Sequence, residues 1–169
     1  MSECLVTGAR AGQYAASFAQ GRTMPDVNGV CVKEELGRVF GLLEREGGES
    51  PVAIRKRLQE EMWDNAGIIR NEVGLKKALE TIRELKGQRM GIRGKARRYN
   101  REWQEALAVA NMLEVAEMIV RAALFRTESR GSHYRGDYPE QSDEEWLANV
   151  VIRKEGEIVT SKVPVREED

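Results

Sequence analysis

Arg126-Thr127-Glu128-Ser129-Arg130-Gly131-Ser132-His133-Tyr134-Arg135-Gly136-Asp137-Tyr138-Pro139-Glu140 is the stretch on which the reading of this chain turns. A long apolar helical pattern leads into it. That pattern predicts a helix over residues 100–128, stopped at Gly131. Arg126, Glu128, Arg130, His133, Arg135 and Asp137 crowd into twelve positions. The packing of a simple bundle calls for no such density of paired charge, so these residues, with Ser129, form the candidate site. Side chains two apart on a helix do not face one another, so Arg126, Glu128 and Arg130 are expected to pair with other segments.

Ser129, Ser132, His133 and Asp137 also contain the residue types of a hydrolytic triad. Triad members must converge in space, and residues one to four apart in a turn rarely do. The chain has no Gly-x-Ser-x-Gly elbow either. His133 is therefore read as a structural or interface histidine, and no residue of the cluster is assigned a catalytic role.

Upstream of the motif, Val109, Met112, Leu113, Ala116, Ile119, Val120 and Ala123 mark the buried side of the long helix, and Glu114, Glu117 and Arg121 a polar strip. Ser50-Pro51 reads as N-cap and first turn of a helix with Ile54, Leu58 and Met62 on its stripe. Asn71 caps a further helix with Leu75, Leu79, Ile82 and Leu85, weakened toward its end by Gly87, Gly91 and Gly94. Helices over about 50–68, 71–93 and 100–128, joined by short connections, suit a bundle. Residues 31–46 form an amphipathic helix, and Gly21 to Gly29 a linker. Residues 3–19 form a helix with a wide apolar face. Beyond Pro139, Ser142-Asp143-Glu144-Glu145 reads as a capping box before Trp146, and Val150 to Val163 as a hairpin turning at Lys154-Glu155-Gly156-Glu157.

The chain of 169 residues is long enough for one domain with extensions. Apolar content of 41% against 33% charge places it with soluble globular chains rather than disordered ones. No run of about 18 apolar residues exists to cross a membrane. The net charge of −1 steers it toward neither nucleic acid nor membrane. Cys4 and Cys31 make no disulfide framework, a single histidine excludes a multi-histidine zinc site, and a reducing cytoplasm is the default.

One basic stretch stands out. Lys86, Arg89, Arg93, Lys95, Arg97, Arg98 and Arg101 occur with no acid between them, beside Tyr99 and Trp103. Cations with aromatics can serve nucleic acid. Overall neutrality and the lack of a nucleic-acid-binding motif argue against it, leaving a solvated loop or a docking surface for an acidic protein. Adjacent Glu60-Glu61 and Glu144-Glu145 point about 100° apart on a helix and read as solvated edges. Trp63 and Trp103 are expected as core anchors.

The Arg126–Pro139 run resembles a signature near the C-terminus of the succinate dehydrogenase / fumarate reductase flavoprotein family, which includes L-aspartate oxidase. That pattern reads roughly R-x-E-S-R-G-x-H-x-R-x-D-x-P, and every fixed position is filled. Met62-Trp63-Asp64-Asn65-Ala66-Gly67-Ile68-Ile69-Arg70-Asn71-Glu72 resembles the family's mid-domain "M…GI-R" segment. Ser2 to Gly12 resembles the helix that closes its flavin-binding domain. The resemblance implies an FAD-dependent oxidoreductase that exchanges hydride between flavin and a dicarboxylate. An iron–sulfur subunit is its usual redox partner, absent in the aspartate oxidase branch. The family's dinucleotide-binding Gly-x-Gly-x-x-Gly and its substrate residues would lie upstream of the match. FAD is thus implied for a parent protein, and no catalytic, cofactor-binding or metal residue is carried over to this chain, which alone is expected to be inactive.

The expected architecture is mostly α. Residues 1–20 correspond to the last helix of the flavin-binding domain and 21–48 to a linker with a short amphipathic helix. Residues 49–140 correspond to a three-helix bundle of spectrin-repeat-like form ending in the charged motif, and 141–169 to an extension with a hairpin. The implied partners are the parent's flavin-binding domain and an iron–sulfur subunit, with the motif as interdomain contact. The implied location is cytoplasmic, at the inner face of a membrane as part of a complex. The apolar face of residues 1–20 offers a contact to a second copy. The rival expectation is a free-standing helical interaction module.

Overall fold

The computed structural model describes residues 2–165, in two units, Met1–Gly37 and Arg38–Asp169. In the first, α1 (Ser2–Ala19) carries Leu5, Val6, Tyr14 and Phe18 exposed, and the Arg22 guanidinium lies 3.7 Å from the centre of the Phe18 ring. Helix α2 (Gly29–Glu44) begins here, with Asn28 Oδ1 accepting from the Val30 N–H at 2.9 Å.

The second unit holds the core. Helices α3 (Pro51–Ala66), α4 (Glu72–Gly87) and α5 (Arg101–Phe125) pack pairwise into a bundle. Ala106, Val109, Leu113, Ala116, Val120 and Ala123 alternate three and four apart along α5, the spacing that keeps one face toward two neighbours. They meet Ile54 and Leu58 of α3 and Leu75, Ala78, Ile82 and Leu85 of α4, with Leu42 and Leu43 from the end of α2. Each fully buried aliphatic side chain contributes about 1.5–3 kcal/mol. Asn71 and Asn100 cap α4 and α5, accepting from the N–H groups of Gly74 at 2.8 Å and Trp103 at 2.9 Å. Ser50 stands at the N-cap of α3 before Pro51, but its side chain makes no capping bond.

Several expectations need correction. Helix α4 stops at Gly87 rather than 93, because residues 89–91 leave the helix to pair with Glu49: Glu49 N–H donates to Arg89 C=O at 2.8 Å and Gly91 N–H to Glu49 C=O at 3.0 Å. A Cβ on Gly91 would lie 2.1 Å from the Gly47 oxygen, so only glycine fits this clasp. Helix α5 stops at Phe125, not at Gly131, and Arg126 is already extended. Trp63 is 83% exposed, being about 100° round the helix from Met62 and so off the Ile54–Leu58 stripe. The buried tryptophan is Trp146, which meets the Phe125 ring edge-on at 5.7 Å. Trp103 is half-buried, and its Nε1–H donates to Val39 C=O at 2.8 Å.

Two small sheets complete the unit. Strands β1 (Ile69–Arg70) and β2 (Tyr134–Arg135) pair in parallel, which periodicity does not anticipate in segments so short. After α6 (Asp143–Trp146), β3 (Ala148–Glu155) and β4 (Glu157–Pro164) form the expected hairpin around Gly156, at φ +82°. The described chain is thus mostly helical, with six helices and a C-terminal antiparallel hairpin. No helix among the described residues is long and apolar enough to cross a membrane.

Candidate functional site

The ends of α3 and α5 and the start of α4 meet at one end of the bundle, and the 126–140 segment is folded into their junction. Because the chain is extended after Phe125, residues two apart now share a side. Arg126 and Arg130 therefore both reach Glu128, contrary to the helical expectation that they pair elsewhere. Glu128 has no exposed surface. It accepts from Arg126 Nη1, from Arg130 Nε at 2.8 Å and Nη2 at 3.1 Å, and from the Ser142 N–H at 2.8 Å. Burial alone would raise its carboxyl; the bonds from Arg130, Ser142 and Arg126 outweigh that and hold it at about 2.

Ser142 caps α6 through its Oγ, which accepts from the Glu145 N–H at 3.4 Å, as a capping box requires. The reciprocal bond is taken by Glu128 instead of Glu145, whose carboxylate pairs with Lys162 at 2.9 Å. Arg126 also donates to the carbonyls of Trp146 and Ala148 and lies 5.1 Å from the Trp146 ring centre. Arg130 continues to Asp143 at 2.6 Å. One carboxylate therefore ties the exit of α5 to the start of the hairpin extension.

Arg135 and Asp137 join two helix ends. The Arg135 side chain is 1% exposed. Its Nη1 donates to the carbonyls of Ala123 at 2.8 Å and Arg126 at 3.0 Å, groups left without partners where α5 stops. Its Nε and Nη2 hold the two oxygens of Asp137, each at 2.8 Å. Asp137 Oδ2 in turn accepts from the Glu72 N–H, the first amide of α4, at 2.8 Å. Cation at a helix C-terminus and anion at a helix N-terminus each complement the macrodipole. The bonds from Arg135, over the opposing effect of desolvation and with help from Glu72, hold the Asp137 carboxyl down at about 2.

His133 reports to the third helix end. Arg70 Nη1 donates to its Nδ1 at 2.7 Å, which leaves the proton on Nε2, 3.4 Å from Arg126 C=O. Burial first, then the facing Arg70 cation, push the imidazole below its ordinary value. Arg70 Nε also donates to Gly67 and Ala66 carbonyls at the end of α3. Ser129 Oγ accepts from the Arg135 N–H and donates to Tyr138 C=O, both at 2.8 Å. No Ser–His–Asp contact forms. Arg70, Glu72 N–H, Ser142 and Trp146 belong to the site but lie outside the charged run. The signal for Arg70 was its place in the Met62–Glu72 segment.

Nothing in these residues fits a flavin. A pyrophosphate sits on a glycine-rich turn between a strand and a helix N-terminus. Here β1 leads through Asn71, not glycine, into α4, and the Asp137 carboxylate already occupies the first amide of that helix. No group of three or more metal-ligating side chains gathers among the described residues.

The family model described as "Fumarate reductase flavoprotein C-term" matches residues 55–168, two thirds of the chain and the whole of this cluster. The chain belongs to this family. Among its relatives, the fumarate reductase flavoprotein subunit of Mycobacterium tuberculosis is 37% identical over 166 residues, covering 93% of this chain and 28% of that protein. An uncharacterized FAD-dependent oxidoreductase of Methanocaldococcus jannaschii is 35% identical over 156 residues, 90% of this chain and 27% of its own length. The solved Mycobacterium smegmatis Sdh1 complex in the apo form superposes with a TM-score of 0.88 at 35% identity, over 98% of this chain and 30% of that one. The chain therefore spans between a quarter and a third of the length of these flavoprotein relatives. In this flavoprotein C-terminal domain, the charged run is the knot that closes one end of the bundle.

Proposed function

We propose that the chain serves as the C-terminal helical domain of an FAD-dependent dicarboxylate oxidoreductase of the succinate dehydrogenase / fumarate reductase type. Its role is structural: it docks on a flavin-binding domain and contributes no catalytic group. Residues 1–20 are the closing helix of that flavin domain, and an iron–sulfur subunit is the electron partner, which places the assembly at the inner face of a membrane. The observation that carries this reading is how the charged cluster is arranged. Its carboxylates are satisfied within the bundle, so they brace a surface rather than react. Around the β1–β2 pair that they support, Ile68, Ile69, Val73 and Trp63 are 71–83% exposed, beside Tyr134. Large apolar side chains exposed together on a stiff frame are what a docking face needs.

The long hairpin extension favours the dehydrogenase/reductase branch over an aspartate oxidase. A free-standing interaction module would use the same face for an unrelated partner. A graft separates these readings. The C-terminal part of the Mycobacterium tuberculosis relative is replaced by this chain, and flavin absorbance and fumarate reduction are compared with a deletion control. Restoration of both above the control is the expected result; a chimaera no better than the deletion rejects the role.

A further inference from the structure

At the opposite end of the bundle, the α4–α5 connection holds a tyrosine that its own chain does not use. Tyr99 is 99% exposed and stands at φ +56°, a left-handed conformation that glycine or asparagine adopts far more readily. It is the one residue other than glycine with positive φ among the described residues. The surrounding loop enforces this. Asn100, 8% exposed, donates from Nδ2 to the carbonyls of Gly94 at 2.7 Å and Ala96 at 2.9 Å while its Oδ1 caps α5. Glu102 accepts from the N–H groups of Arg93 at 2.7 Å and Gly94 at 3.1 Å. Lys95 donates to Arg45 C=O, and the Arg97 guanidinium lies 4.8 Å from the Phe40 ring centre. The loop is thus built and pinned, and Tyr99 is held out on its tip.

Packing and backbone preference both argue for a smaller residue at this position. A side chain that costs its own fold and gains no burial has its use elsewhere. Its neighbours say what it meets. Arg98 and Arg101 are exposed on either side of it and, like Arg89, carry no ion pair among the described residues; of the acids close in sequence, Glu102 is engaged by backbone amides and Glu105 by Arg55. An exposed tyrosine flanked by arginines is the composition of an interface hot spot. We propose that the Arg93–Arg101 loop is a preformed docking tip for a protein surface rich in Asp and Glu, with Tyr99 as anchor and Arg98 and Arg101 as its charge partners. A single aromatic on a closed loop suits a protein patch better than a nucleic-acid strand, which needs a basic track with successive stacking platforms. This inference does not rest on the flavin-domain docking above, which uses the other end of the bundle.

The test places p-benzoyl-phenylalanine at position 99 of the full chain in its producing cell, with the same label at exposed Lys77 as control. The expected result is a predominant protein adduct at position 99 whose linked peptide is acidic. Its yield should fall about tenfold with Arg98→Glu/Arg101→Glu or at high salt, where charge pairs are screened. Tyr99→Gly should melt no lower than the parent chain, because it relieves the backbone. An adduct removed by nuclease, a linked peptide without acids, a yield indifferent to the arginines, or no adduct above the Lys77 control overturns the proposal. So does a Tyr99→Gly variant that unfolds more easily, since the tyrosine would then serve its own fold.

Discussion

Glu128 carries the most consequence per atom in this molecule. Its four hydrogen bonds compensate for complete burial, and deleting it leaves Arg126 without its anion and Arg130 with Asp143 alone. Glu128→Ala is expected to cost about 3–5 kcal/mol, the range for breaking a buried ion pair from one side, and Glu128→Gln less, because the amide oxygen still accepts. Urea unfolding monitored by the buried Trp146 measures both. Acid provides a second check. Glu128 and Asp137 are held at about 2, below their ordinary values of 4.5 and 3.8. Carboxyls depressed in the folded state stabilise it fully above the unfolded pKa, and that stability drains as pH falls toward the folded value. The urea midpoint should therefore stay level down to about pH 5 and fall between about 4.5 and 2, with a shallower fall in Glu128→Gln. The residue types of this cluster were legible in the sequence, but its pairing was not. Reading 126–130 as helix set the three charges apart, whereas a chain extended from Arg126 brings them together. Arg135, which takes carbonyls freed where α5 stops, lies nine residues beyond Arg126.

At the scale of elements, the three bundle helices were readable from apolar spacing, helped by the local signals of Pro51 and Asn71, while the Asn100 cap of α5 emerged only with the structure. What escaped were the contacts between segments distant in sequence. The two-residue β1–β2 pair and the Glu49–Met90 bridge join strands too short to show alternation. Of the glycines that read as weakening α4, Gly91 instead permits the second of these. Gly91→Ala would push a methyl group into the Gly47 carbonyl, so the clasp must open. We expect a loss of about 1–3 kcal/mol, as for other overpacked sites, and fast amide exchange at Glu49 and at position 91 while the α5 core stays protected. Trp63 was misassigned for a related reason: a large apolar residue next to a stripe looks like core unless the surface has a use for it.

For the molecule as a whole, the two ends of the bundle differ in what they expose. One end is locked by Arg70, Arg126, Glu128, Arg135 and Asp137 and presents Trp63, Ile68, Ile69 and Val73; the other presents Tyr99 on a pinned loop. Ile69 is 74% exposed, so Ile69→Glu should leave the unfolding free energy from urea titration within about 0.5 kcal/mol of the parent chain. The same change buries a charge in any docked state, which is costly. The most direct measurement is therefore calorimetric titration of this chain into the flavin-bearing portion of a fumarate reductase relative, its fold and flavin verified by absorbance beforehand. Docking through the Ile69 face predicts saturable binding that Ile69→Glu weakens at least about tenfold. Absence of binding by the parent chain, or equal binding by Ile69→Glu, would contradict it.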